Sequence, residues 1–301
     1  MTASHFRPRS ASELVDAAIQ LARAHYQPLL VLSGIIALPG LVINLLSSRL
    51  MPSPNDPINA EWSTGLLLTL PLTFASLCMF AVGYGALVDA ASGAYVHGRT
   101  PEPGAALRRA LSRAGSLIAG NLLAYLIMGG GLLVAFVGMT LLVPLITAAG
   151  ANAGQYAVLM LLLALLMLGS LVWFVVALPR YVNVTAVVML EGAGPLTAVR
   201  RSRELGRGSA LRILALLVII GVLFTVVMFT IGALMGGFFE NSAVASMLAS
   251  FLIVPVYPVL GTLFTALYYD LRIRREGYDI ELLAQAVGDA PVRERGTQPS
   301  Y

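Results

Sequence analysis

The sequence predicts an all-α polytopic membrane protein: six transmembrane helices in three helix hairpins, each hairpin preceded by an amphipathic helix on the cytoplasmic surface. Three observations predict it. The chain is 58% apolar and only 11% charged, where soluble domains hold about 25% charged residues. Charge-free apolar stretches recur along it, and about 20 such residues cross a bilayer core. A short basic connector also occurs twice: Pro103, Ala106, Leu107, Arg108 and Arg109 spell the same P-x-x-A-[LV]-R-R as Pro195, Ala198, Val199, Arg200 and Arg201, with an apolar run after each.

The first 27 residues are polar and mixed in charge and lack the apolar core and small-residue cleavage pattern of a signal peptide, so the N-terminus is expected to be retained. Ser10 and Glu13 form a capping box. Val15, Ile19, Ala22 and Tyr26 then share a helical face, with Leu14, Ala18 and Leu21 beside them. This reads as a surface helix packed under the spans. The first span covers 28–48, with Pro39 and Gly40 able to kink it. Residues 49–62 are turn formers with two acids and a tryptophan suited to the headgroup region, an exposed loop. The second span covers 63–88, and Asp89 marks its interface.

Residues 114–179 carry no charge and are too long for one crossing. Gly150-Ala-Asn-Ala-Gly154 divides them into spans 115–146 and 156–179. Gly129, Gly130, Gly131 and Pro144 suit close helix approach in lipid. Arg180 falls at the interface, where snorkelling explains it better than a polar cavity. The fifth span, 213–239, holds Gly232 and Gly236 at a spacing that lets helices touch, and the sixth, 243–269, bends at Pro255 and Pro258. If that helix continues, Asp270 pairs with Arg274 and Arg272 with Glu276; Gly277 ends it and Asp279 starts a short turn. Residues 1–283 thus form a single integral membrane domain, and 284–301 a disordered cytoplasmic tail.

All basic side chains other than histidine are arginines, and eighteen of the nineteen fall on the side of the termini and of the 2/3 and 4/5 connectors; only Arg49 lies opposite. Both termini are therefore expected on the cytoplasmic side. The two connectors are 92 residues apart and start on the same side, so the repeat preserves orientation. The N-terminal helix fits as a weaker third copy. Ala86-Leu-Val-Asp89, Ala186-Val-Val-Met-Leu-Glu191 and Ala266-Leu-Tyr-Tyr-Asp270 each close with an acid. Three hairpins about a pseudo-threefold axis are expected; chance similarity between apolar hairpins is the alternative.

The connectors are too short a surface for nucleic acid, and the lone Cys78 cannot form an intramolecular disulfide. His5, His25 and His97 are scattered outside the spans, so no metal site or cofactor is expected. No catalytic constellation is legible either: there is no G-x-S-x-G elbow and no Gly-rich phosphate loop. Tyr268, Tyr269 and Asp270 could serve an interfacial enzyme, but a helix-end salt bridge accounts for them more simply. All fifteen acids fall outside span centres, which disfavours proton-driven transport. Asn44, Asn121, Tyr84 and Tyr125 lie within spans, where an interhelical hydrogen bond is the ordinary use.

The run Val188–Gly208, which contains the second basic connector, and the run Tyr268–Asp279 resemble the bacterial glycerophosphoryl diester phosphodiesterase membrane domain and its stand-alone relatives. Arg7-Pro-Arg-Ser-Ala-Ser-Glu-Leu-Val-Asp-Ala-Ala-Ile19 looks like their usual start, so the resemblance spans nearly the whole chain. Some members carry a separate phosphodiesterase domain, and no soluble stretch here is long enough for a barrel of about 250 residues. The resemblance therefore implies a membrane part without that activity.

The first expectation is a non-enzymatic scaffold or accessory in envelope or lipid metabolism, with membrane phospholipids as partners. Arg108, Arg109, Arg200, Arg201 and Arg203 would hold anionic headgroups, although positive-inside topology alone also explains them. Asp270, Arg272, Arg274 and Glu276 form an interfacial salt-bridge cluster. A small-molecule or lipid transporter or pore is the alternative, and needs a continuous polar path. A lipid-modifying membrane enzyme is the third, and needs Asp89, Glu191 and Asp270 to converge in one cavity.

Overall fold

The computed structural model describes residues 10–50, 60–148, 150, 152–238 and 248–278. Every regular element among them is helical. In chain order they are α1 (Ala11–Ala24), α2 (Tyr26–Leu50), α3 (Ala60–His97), α4 (Pro103–Ser112), α5 (Ala114–Ala148), α6 (Ala153–Tyr181), α7 (Val184–Ala186), α8 (Pro195–Gly206), α9 (Ala210–Phe238) and α10 (Tyr257–Glu276). A π turn, Val187–Glu191, continues α7, and a 3₁₀ turn, Val254–Val256, leads into α10. Six of the helical stretches are long and apolar enough to cross a membrane, so this is a multi-pass helical protein. Residues 1–9, most of the expected 49–62 loop, the turn at Asp279 and the tail 284–301 lie outside the described residues.

α1 starts as its sequence requires: Ser10 Oγ accepts from the Glu13 N–H at 3.2 Å, and Glu13 accepts from the Ser10 N–H at 2.7 Å. Its buried stripe is Leu14, Ala18 and Ala22. Tyr26, expected on that face, is exposed instead, because the chain restarts as α2 at Tyr26 and leaves the axis of α1. α1 packs on α10, where Thr262 Oγ1 donates to the Ala18 carbonyl at 2.9 Å. α4 and α8 both begin with a proline, at the position where a missing N–H is harmless. α4 packs on α3, and α8 on α5 and α6.

Two span ends differ from expectation. α3 continues past Asp89 to His97, because Ala90, Ala91 and Ala94 are buried and extend the apolar contact. The fourth crossing ends at Tyr181, yet the chain does not go to the surface; Asn183 to Met189 are all buried, as α7 and the π turn. Gly192, at φ 69°, then reverses the chain. The sixth crossing bends where the prolines stand: residues 248–252 are helical, the chain tightens through Pro255, and α10 resumes before Pro258.

The core sits at the arginine-rich end, where Leu87, Leu117, Leu205, Ile213 and Tyr268 have almost no exposure. Toward the other end the helices carry exposed leucines, such as Leu141 on α5 and Leu161 and Leu165 on α6, as lipid-facing surfaces do. Close approach is made by glycines other than Gly232. A Cβ on Gly232 would meet nothing within 4 Å. One on Gly206 would stand 2.6 Å from the Pro179 carbonyl oxygen, and one on Gly261 2.5 Å from Leu87. Of the α5 glycines, Gly131 faces Ser170 while Gly129 and Gly130 meet no neighbour. The surroundings of Gly236 and Pro144 lie outside the described residues.

Candidate functional site

At the arginine-rich end α3, the π-turn segment and α10 bury Ala86, Ala186 and Ala266; Asp270 is buried with them, while Asp89 and Glu191 keep some exposure. Each acid meets arginine. Arg109 of α4 places Nε 2.8 Å and Nη2 2.6 Å from the same oxygen, Oδ2 of Asp89. Arg201 of α8 donates from Nε to Glu191 Oε2 at 3.0 Å and also pairs with Glu276. Asp270, 2% exposed, holds Arg274 at 3.0 Å and Arg212 at 3.1 Å. Arg109 and Arg201 occupy the same place in the repeated motif, so one residue type at one position ties each connector helix to the span end before it. The guanidinium of Arg201 is raised above its ordinary pKa: partial burial pulls the other way and is outweighed by the hydrogen bonds and charges of Glu191 and Glu276.

The salt-bridge cluster expected from sequence is present and larger. Both i,i+4 pairs form, Asp270 with Arg274 and Arg272 with Glu276, the latter at 3.0 Å. Glu276 then links to α8 through Arg201, and Tyr268 donates to Glu191 Oε1 at 2.8 Å. Arg272 stacks over Tyr278, 4.1 Å from its ring centre. Tyr269 lies between Tyr95 and Tyr278, and its hydroxyl shares a 2.7 Å hydrogen bond with Ser92 on α3.

The five arginines read as a headgroup site divide into two sets. Arg109 and Arg201 carry the ion pairs just described. Arg108, Arg200 and Arg203 are exposed and make no ion pair with the described residues. Sequence reasoning passed over two more arginines. Arg212 is a second partner of Asp270, and Arg113 donates from Nη1 to the Val188 carbonyl at 3.2 Å and to that of Met189. Arg113 thereby caps carbonyls at the end of the π turn. Nothing local in the sequence marks its partners, 75 residues away. Arg180 makes no ion pair among the described residues; its carbonyl accepts from Ser202 at 2.9 Å.

Asn121 behaves as expected of a polar residue in a span: it donates to the Leu117 carbonyl and accepts from Thr185, each at 2.9 Å. The Asn44 side chain lies outside the described residues. Tyr84 stacks on Phe80 and meets the edge of Phe264.

Two cavities flank this packed region. A cleft of about 620 Å³ at the arginine-rich end is lined by residues that include Asp89, His97, Arg99, Glu102 and Arg109. One of about 360 Å³ on the far side is lined by Ser76, Phe80, Tyr125, Ser250 and Tyr257 among others. Along α3 the far cavity touches residues 76–80 and the cleft residues 89–97, with a buried stretch between them. Of the three acids that an enzyme would need in one cavity, Asp89 lines the cleft, and neither Glu191 nor Asp270 does. No family model, no curated protein and no solved structure matches the chain.

Proposed function

We propose that the chain is a non-enzymatic scaffold or accessory of the bacterial cytoplasmic membrane, acting in envelope or lipid metabolism, with its arginine-rich end and both termini on the cytoplasmic side. The observation that carries this reading is the division of the arginines. Neighbouring positions of one motif differ in pairing: Arg109 and Arg201 are ion-paired to Asp89 and Glu191, while Arg108 and Arg200, one residue earlier, are exposed and, with Arg203, make no ion pair among the described residues. Side chains so placed at the ends of membrane spans lie where anionic headgroups are. The resemblance to the phosphodiesterase membrane domain fits the same role and brings no activity with it.

Replacing Arg108, Arg200 and Arg203 by glutamine is expected to lower the anionic phospholipid that co-purifies in mild detergent, by about fivefold per arginine at low salt. Unchanged lipid content would reject the headgroup belt. The pore reading has less support, since the stretch of α3 between the two cavities is buried and Phe80, Tyr84 and Phe264 pack together beside it.

In this reading the chain is a parallel threefold repeat of surface helix plus hairpin, with α1, α4 and α8 as equivalent members. The packing supports it, because each surface helix rests on the hairpin of the preceding unit and α1 closes the ring on α10. Ala18, Ala106 and Ala198 are the buried alanines of the three contacts. Leucine at any one of them should destabilise the protein by about 1–3 kcal/mol through overpacking. Thermal unfolding in detergent measures this. A loss at Ala106 and Ala198 with none at Ala18 would show an open chain of units and not a ring.

A further inference from the structure

We infer that the cleft between the end of α3 and the start of α4 is a binding site for a phosphoethanolamine group, the zwitterionic headgroup of phosphatidylethanolamine. This rests on reading that end of the bundle as lying at headgroup depth, and it concerns residues distinct from the exposed arginine belt.

The chain builds the cleft from a sharp turn. Gly98, at φ 61°, ends α3, and the N–H groups of Gly98 and Arg99 return to the carbonyls of Ala94 and Gly93. Pro101 is buried, which anchors the segment before α4 starts at Pro103. His97, Arg99, Thr100 and Glu102 are thereby held across from Asp89 and Arg109 around about 620 Å³ of space, within the range of small-molecule sites.

The charges in this space balance: Arg99 and Arg109 against Asp89 and Glu102. A simple anion would meet two carboxylates and a simple cation two guanidinium groups, so a ligand carrying both signs fits better than either. Each sign also has unused capacity. Both Arg109 contacts converge on Oδ2 of Asp89, and Oδ1 accepts nothing from the described residues. Glu102 stands at the N-cap of α4, yet its side chain makes no capping bond. Arg99 makes no ion pair with the described residues and is exposed. The phosphate therefore belongs on Arg99, beside the His97 and Thr100 donors, and the ammonium between Asp89 Oδ1 and Glu102.

The lining also favours ethanolamine over choline. A primary ammonium gives three N–H donors to carboxylates, whereas a quaternary ammonium has none and is recognised by aromatic cages. No Phe, Tyr or Trp lines the cleft.

The test uses the full chain in mild detergent, with native mass spectrometry of added phosphatidylethanolamine, phosphatidylcholine and phosphatidylglycerol of identical acyl chains. Wild type is expected to hold phosphatidylethanolamine about tenfold over phosphatidylcholine, equivalent to roughly one charge-assisted hydrogen bond. Glu102→Gln should abolish that preference, and Arg99→Gln should weaken the ethanolamine and choline lipids alike, because both carry the phosphate; both positions are exposed. The Arg108, Arg200 and Arg203 triple variant should lose phosphatidylglycerol and keep the ethanolamine preference. If wild type binds the ethanolamine and choline lipids equally, or if the preference survives in the Arg99→Gln, Glu102→Gln double variant, the site is wrong. Loss of phosphatidylglycerol in the triple variant alongside either of those results would sink the cleft and spare the belt. Glycerophosphoethanolamine identifies the source: displacement of the lipid at similar concentration supports the site as one for a free headgroup, and weaker displacement supports it as one for the lipid.

Discussion

Replacing Arg212 and Arg274 together by glutamine is expected to destabilise the folded protein by about 3–5 kcal/mol, the cost of taking two opposing charges from a buried carboxylate. Asp270 is 2% exposed, and both arginines bind its Oδ2, at 3.1 and 3.0 Å. The carboxylate sits where α9 and α10 meet at the packed end of the bundle, beside Leu267, Leu271 and Ile213, so water cannot replace the lost partners cheaply. Thermal unfolding in detergent, followed by the fraction that stays monodisperse, reads the effect. Adding Asp270→Asn to the double variant should restore most of the loss, because the buried charge is then gone. If the double variant unfolds with wild type, or if the asparagine gives no recovery, neither the Arg212 bridge from α9 nor the Arg274 pair within α10 stabilises this end of the bundle.

Gly206→Ala should produce the second large effect, a loss of about 1–3 kcal/mol or more, because its new methyl would stand 2.6 Å from the Pro179 carbonyl oxygen. The obstacle is backbone, which no rotamer change relieves. One turn earlier on α8 Ser202 donates to the Arg180 carbonyl at 2.9 Å, so the helix cannot slide away without losing that bond. Arg201, on the same turn, would move with it and weaken its pairs to Glu191 and Glu276. Gly104→Ala, inside α4 where a Cβ meets nothing within 4 Å, is the control and should be no less stable than wild type. Equal stability of the two variants would show that α8 is not seated against the end of α6 as described.

Much of this architecture was legible in sequence because it follows from local composition. A stretch such as 114–179, with no charge and a Gly-Asn-Gly break, can only be a pair of apolar helices. Ser10 with Glu13, Gly277 and Pro255 announce a helix start, a helix end and a bend through backbone chemistry acting within a few residues, and each appears where expected. The pairs Asp270 with Arg274 and Arg272 with Glu276 were legible for the same reason, since four residues along a helix make neighbours.

The remainder of the candidate site was not. Arg108 and Arg109 are adjacent in sequence and chemically identical, and nothing local says that Arg109 pairs with Asp89 while Arg108 is exposed; the docking of α4 on α3 makes that choice. Gly232 carries the spacing of a helix contact, yet a Cβ there would meet nothing within 4 Å, and close approach is seen at Gly206 and Gly261, where a partner's backbone or side chain passes. The burial of Asn183–Met189 and the capping of that segment by Arg113 depend on residues far away in the chain.

The sequence by itself determined that this chain is helical, with six helices long and apolar enough to cross a membrane and a basic end, because partition into lipid and helix initiation depend on each residue and its near neighbours. Tertiary structure alone decided which arginines became fasteners, which acids were buried and where a charged cleft opened. Those outcomes depend on Coulombic and steric contacts a few ångströms long, and only packing sets which distant residues come that close.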